Sequence, residues 1–325
     1  MRILNKLCLL FLLLGMVGCS VQDDPSVCPV NGRMTLYFTL EDQGTDLFSQ
    51  MITSVNAYIF DSTKTLIEER RLDSYNLSFP VTVTAGQKPG FTVEYEPGDY
   101  YAVCWGNVGE RSGFRSGLVK GVTRFEDCAI QIPPTSTATG DPIYYAPYKL
   151  NPYQNKSVEI ETRAIDPTMT LYAFTIAKGE VREKKMNFVN AHRTVNIYIY
   201  GYTDGTPVVQ ATHLCTEYNF LYQSAGQYRD FMRPAEQVDT PEGKALLVTF
   251  YFGFDEITDD IIFTLKRSAS GSTIPGVDPI NLLEFILDQG LSDKEPTYDI
   301  RIIFSTLGVT IDIPEWGNIP VKPEK

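Results

Sequence analysis

Histidine is nearly absent from this chain, with two in 325 residues. That leaves no H-E-x-x-H metal motif and little material for an imidazole-activated nucleophile. No G-x-S-x-G elbow, phosphate-cradling glycine loop or EF-hand pattern occurs, and Gly113-Phe114-Arg115-Ser116-Gly117 places its serine one position late for an elbow. Positive charge is also short. Forty acidic residues face 28 basic ones, for a formal net charge of -12, so the chain has no electrostatic attraction to nucleic acid. No cysteine pair shows C-x-x-C spacing, which removes zinc-ribbon and thioredoxin-type chemistry. The expectation is a protein that is not an enzyme and carries no cofactor or metal.

The longest apolar stretch, Leu7 to Leu14, is too short to span a bilayer as a helix, which takes ~20 residues. With Arg2 and Lys6 before it and Gly18 after it, the stretch reads as a signal peptide over 1–18. Met16-Val17-Gly18-Cys19 resembles the bacterial lipoprotein box, whose cysteine is lipidated. Cys19 is therefore the expected lipid site, followed by an acidic tether over 19–32, and multiple acyl chains make such an anchor durable. Cys28, Cys104, Cys128 and Cys215 then remain, with three complete pairings open. One bridge among Cys28, Cys104 and Cys128, with Cys215 buried as a thiol, is the expectation, and the sequence leaves the pairing undetermined.

What is present is period-two alternation and aromatic content: 18 Phe, 19 Tyr and 2 Trp. Strands are expected at Met34–Leu40, Val55–Asp61, Leu77–Thr84, Phe91–Tyr95 and Tyr100–Trp105, and around Ile130, Tyr144 and Val158–Thr162. A second series follows at Thr168–Ile176, Thr194–Tyr202, Ala245–Phe252, Ile261–Lys266, Asp299–Ser305 and Val309–Ile313. Pro167 marks a seam, giving an N-terminal β domain over 33–165 and a C-terminal one over 166–325. One helix is expected, with Asp278 as cap, Pro279 at its first turn, Ile280, Leu283 and Leu287 on one stripe, and Gly290 at its end. On the strand ending at Gly106, Tyr101, Val103 and Trp105 share a face that should be core, with Cys104 on the opposite one. Gly106-Asn107 should end that strand in a left-handed turn.

Two further clusters have competing readings. Asp255, Glu256, Asp259 and Asp260 can ligate calcium or form a solvated turn, and the turn is favoured. Tyr144, Tyr145, Tyr148 and Tyr153 can stack on sugar rings or pack as strand and turn residues.

Pro97-Gly98-Asp99-Tyr100-Tyr101-Ala102-Val103-Cys104-Trp105-Gly106-Asn107 resembles the turn, strand and tryptophan-glycine-asparagine signature of the FimB-type fimbrial anchor lipoproteins of Bacteroides-type bacteria. Cys19, Cys28-Pro29, Phe60-Asp61, Pro142-Ile143-Tyr144-Tyr145, Tyr298-Asp299-Ile300, Ile311-Asp312-Ile313 and Trp316 follow in the same order. The resemblance implies two tandem transthyretin-like β-sandwiches with one short helix in the second, and a lipid anchor in the outer membrane. It also implies a place in a fimbria as anchor or minor subunit, with other fimbrial subunits as partners joined by β-strand contacts. The segment around Val309, Ile311 and Ile313 is the candidate contact, and a surface glycan-binding lipoprotein is the alternative.

Overall fold

The structure, a computed structural model, describes residues 31–42, 45–73, 89–109, 111–115, 117–137, 139–146, 172–220, 223–253, 257–258, 260–292 and 295–314. The expected strands at 77–84 and 158–162, the lipid site Cys19 and Cys28 lie outside them.

The N-terminal half runs through β1 (Gly32–Thr39), β2 (Glu41–Asp42), β3 (Thr45–Asp46), a single-turn helix α1 (Phe48–Met51), β4 (Ser54–Phe60), β5 (Leu66–Asp73), β6 (Gly90–Tyr95) and β7 (Gly98–Gly106). It continues through β8 (Gly113–Phe114), a 3-10 turn at Phe125–Asp127, β9 (Ala129–Gln131), β10 (Tyr144–Tyr145), β11 (Tyr172–Ile176), β12 (Val181–Asn187) and β13 (Val189–Asn190). A three-stranded sheet, β12-β1-β6, faces a six-stranded one, β13-β10-β7-β4-β5 with β11 also on β7. Alternation on β1 turns Met34, Leu36 and Phe38 inward, where they meet Val55, Ala57 and Ile59 of β4 and Cys104 of β7. Because the six-stranded sheet is apolar on both faces, it carries a second core on its far side, built from Tyr58, Phe60, Val103, Trp105 and Tyr145. The excursion from Val108 to Ile130 covers that far side.

The C-terminal half comprises β14 (Arg193–Tyr200), β15 (Val208–Cys215), β16 (Glu217–Asn219), β17 (Tyr228–Pro234), β18 (Glu236–Thr240), β19 (Gly243–Phe252), β20 (Ile262–Lys266), β21 (Ile280–Asn281), helix α2 (Leu282–Asp288), β22 (Thr297–Ser305) and β23 (Gly308–Asp312). A five-stranded sheet, β18-β19-β14-β22-β23, packs on a four-stranded one, β17-β15-β20-β21. Their shared core holds Val195, Ile197 and Ile199 of β14 against Phe263 and Leu265 of β20. The chain is thus mainly β, consistent with β-sandwich domains.

One sequence expectation shifts, that of the helix, and the boundary near 165 falls outside the described residues. After it, β11, β12 and β13 pair with β7, β1 and β10. Pairing passes to the second half at Arg193. The halves are also interlocked, since β9 pairs with β16 and Phe220 is fully buried in the far-side core around Trp105. The helix starts later than expected. Asn281, not Asp278, is its cap, with Oδ1 accepting from the Glu284 N–H, while Ile280 belongs to β21. Leu282 and Ile286 are the buried stripe and Leu287 is 61% exposed, because the shorter helix rotates its apolar face. Gly290, at φ +69, ends it as expected.

Candidate functional site

Trp105 is 0% exposed, lies against Tyr145 with ring centroids 4.4 Å apart, and shares its core with Val103 and Phe220; Tyr101 packs at the margin. The next two residues shape a corner. A Cβ on Gly106 would sit 3.1 Å from Ile52 and 3.2 Å from Tyr144. Asn107 adopts φ +58, and its side chain accepts from the Thr53 N–H at 2.8 Å and donates to the Met51 carbonyl at 2.8 Å. The tryptophan, glycine and asparagine therefore fill a core, permit close approach and clamp α1 to the end of β7. Nothing in this arrangement is reactive.

The cysteines are placed apart. Cys104 and Cys128 are buried thiols, Cys104 in the core between the two N-terminal sheets and Cys128 in the far-side core, so the expected bridge is not between those two. The strand geometry is the reason: Cys104 faces away from Trp105, and the six-stranded sheet stands between the two sulfurs. Burial pushes the Cys128 thiol up to about 12 and raises that of Cys104 further, which makes both poor nucleophiles. Cys215 is buried, its thiol donating to the Glu217 carbonyl.

Neither histidine is placed for catalysis. His192 is buried where the halves meet, its Nδ1 2.9 Å from the Ile143 carbonyl and its ring edge-to-face with Tyr144 and Tyr251. Burial lowers its pKa to about 4, so it is neutral at ordinary pH. A cavity of about 20 Å³ beside it, lined also by Ser112, Tyr218 and Gly253, has room for no more than a water molecule. His213 stacks on Tyr228 at 4.2 Å and lies at a bulge in β15 with φ +56.

Of the acidic turn only Asp260 is described, and it is exposed. Among the described residues no group of three metal-ligating side chains converges. Tyr144 and Tyr145 are 6% and 3% exposed, with the Tyr145 hydroxyl donating to the Phe220 carbonyl at 2.7 Å, so neither presents a face to a sugar ring. Tyr148 and Tyr153 lie outside the described residues.

The surface feature that stands out is the edge strand β23. It pairs with β22 across a two-residue loop, Thr306-Leu307, with Ser305 opposite Gly308. In such a hairpin the closing pair is hydrogen-bonded, so Thr310 and Asp312 also bond to β22 while the N–H and C=O of Val309 and Ile311 point outward. Side chains of Val309 and Ile311 meanwhile pack against the core. Ile313 follows, half-buried, beyond the strand's last paired residue. The strand's one charge, Asp312, accepts two hydrogen bonds from Arg301, at 2.7 and 3.0 Å. Three other edges, β12, β17 and β18, carry what natural sheets use to discourage pairing. Arg182, Glu183, Lys184 and Lys185 stud β12, Arg229, Asp230, Arg233 and Pro234 stud β17, and Glu236 and Asp239 lie on β18. The composition of β12, β17 and β18 hid them from the apolar alternation that revealed β23.

A family model for the fimbrillin-A associated anchor proteins Mfa1 and Mfa2 matches residues 25–321. No curated protein matches the sequence. Among solved structures, a candidate polysaccharide-binding protein of Bacteroides thetaiotaomicron superposes with TM-score 0.62 at 12% identity, covering 88% of this chain and 100% of its own. A candidate adhesin of Bacteroides ovatus gives 0.59 at 13% identity over 89% and 94%. The fimbrial anchor protein Mfa2 of Porphyromonas gingivalis gives 0.55 at 14% identity over 83% and 90%. At these identities the superpositions show a shared fold.

Proposed function

The chain belongs to the fimbrillin-A associated anchor family, and on that premise we propose that it is an outer-surface lipoprotein that anchors a fimbria or serves as its minor structural subunit. Lipid on Cys19 holds it in the outer membrane, and other fimbrial subunits join it through β-strand contacts at Val309, Ile311 and Ile313. The observation that carries the contact is β23: an edge with outward backbone groups and no uncompensated charge, suited to accept a neighbour's strand.

Retention of the first strand separates an anchor from a processed subunit. β1 is the middle strand of its sheet, with Arg33 in register with Glu94 on one side and Val181 on the other. The Arg33 N–H donates to the Glu180 carbonyl at 2.7 Å, and its guanidinium meets Glu94 at 3.2 Å. A protease reading basic residues would need to unzip two ladders to reach that bond, and the tether from Cys19 to Gly32 contains no Lys or Arg.

Mass spectrometry of the protein from purified fimbriae tests the reading. The expected mature terminus is lipidated Cys19, and Cys19→Ser should leave the protein soluble or unprocessed. A terminus at Met34 or later, without lipid, overturns it. Ile311→Pro, which deletes one outward N–H on an edge where proline is tolerated, should leave a folded, membrane-bound protein that no longer retains fimbriae.

A further inference from the structure

Three polar side chains lie in a row across the five-stranded sheet, on the face turned away from the apolar core. Asn196 of β14 is in register with Thr249 of β19 on one side and Asp299 of β22 on the other. Thr249 Oγ1 donates to Asn196 Oδ1 at 2.8 Å, and Asn196 Nδ2 donates to Asp299 Oδ1 at 2.8 Å. Asn196 is 1% exposed, Asp299 5%, and Thr249 half-buried. A hydroxyl, a carboxamide and a carboxyl group thus stand in sequence with little water around them.

We propose that Thr249 and Asn196 become joined by an intramolecular side-chain ester, with Asp299 as the acid that releases ammonia. The reaction is redox-neutral and needs no co-reactant. Thr249 Oγ1 forms a bond to Asn196 Cγ while its proton passes to Oδ1, the atom it already hydrogen-bonds. The tetrahedral carbon then holds two oxygens and Nδ2. Asp299, as a neutral carboxyl, gives its proton to Nδ2, the carbon–nitrogen bond breaks, and ammonia leaves. The hydroxyl proton on Oδ1 restores the Asp299 carboxyl, and the carbonyl re-forms as an ester.

Three features support this. Registration on adjacent strands makes the attack unimolecular, removing most of the entropic barrier. Burial raises the Asp299 carboxyl above its ordinary range, opposed by the hydrogen bond from Asn196, which favours the proton-bearing form the step requires. Exclusion of water protects an ester from hydrolysis once formed. The product would tie β14 to β19 covalently at the middle of the sheet.

Trypsin separates the two reactants, placing Asn196 in a peptide over 194–229 and Thr249 in one over 245–266. Digestion of the intact purified protein should give one joined species, lighter than the sum of the two peptides by one ammonia and split by mild hydroxylamine. Thr249→Val and Asp299→Asn should each give two separate peptides. Separate peptides of unmodified mass from the unaltered protein, or an Asn196 peptide recovered as the aspartate, overturn the proposal. So does a joined species that resists hydroxylamine, and a joined species in Asp299→Asn removes that residue's part.

Discussion

The two halves solve the same problem at their sheet edges, and only partly in the same way. In the first, the chain passes from β12 through buried Phe188 into β13, so one continuous segment belongs to both sheets and closes that side. The opposite side is closed by side chains: Arg70 of β5 donates to the Thr92 carbonyl on β6 at 2.9 Å, while the Tyr95 hydroxyl of β6 donates to Glu68 of β5. The second half repeats the crossing strand, from β17 through buried Ala235 into β18. Its other side ends, among the described residues, in β23, with no crossing strand and no spare charge. The comparison teaches that closure is the default here and that β23 departs from it.

The largest effect should come from breaking the interlock between the halves. Phe220→Ala removes a ring buried beside Tyr58, Phe60 and Trp105, at a cost of about 3–5 kcal/mol. Because Phe220 is supplied by the second half to the core of the first, tryptophan emission and far-UV circular dichroism should still trace one coincident denaturation curve, at lower denaturant. Two separated transitions would mean that the halves are independent.

Acid should act next, through His192. Its folded pKa of about 4 lies below the ordinary 6.5, so its contribution is complete above pH 6.5 and is lost as the pH falls towards 4. That contribution amounts to about 3 kcal/mol, and His192→Gln should flatten the pH dependence of the melting temperature across this window.

Asn107→Ala should cost about 2 kcal/mol through its lost side-chain bonds and left-handed backbone. Asn107→Gly recovers only the backbone part, and equal melting temperatures for the two would assign the whole effect to the clamp. Smallest in stability is Thr310→Lys on exposed β23, within about 0.5 kcal/mol, yet it adds the kind of charge the other edges carry and should release fimbriae.

These contrasts also explain what was legible in the sequence. Strands rich in apolar residues, such as β1, β4, β7, β14, β19 and β22, announce themselves, and β1 does so by clean alternation. β12 reads Val-Arg-Glu-Lys-Lys-Met-Asn and β17 reads Tyr-Arg-Asp-Phe-Met-Arg-Pro; their charges guard an edge and erase the pattern. The Trp105 face and the Asn107 turn were legible because period two and left-handed propensity are local properties. The helix cap was misplaced because Asp278 and Asn281 are both good caps, and the β21 pairing with β20 decides between them. Phe220 in the opposite half's core has no local signal at all.

The parallel pairing of β1 with β12 sets a timetable. Arg33 meets Val181 and Thr39 meets Asn187, so the first strand waits for its second partner almost 150 residues behind it. Loop closure over that distance is slow, and contacts so remote in sequence give a high contact order. A chain emerging from its amino end, at the ribosome or a translocation pore, has most of the first half exposed before its three-stranded sheet can be completed. The far-side core waits longer still, until Phe220 arrives. Assembly therefore proceeds as a late, joint event in which the amino-terminal sheets become final only as the second half begins to form, and for that interval β1, able to pair with β6 on one side, keeps its other edge open for chaperones to shield.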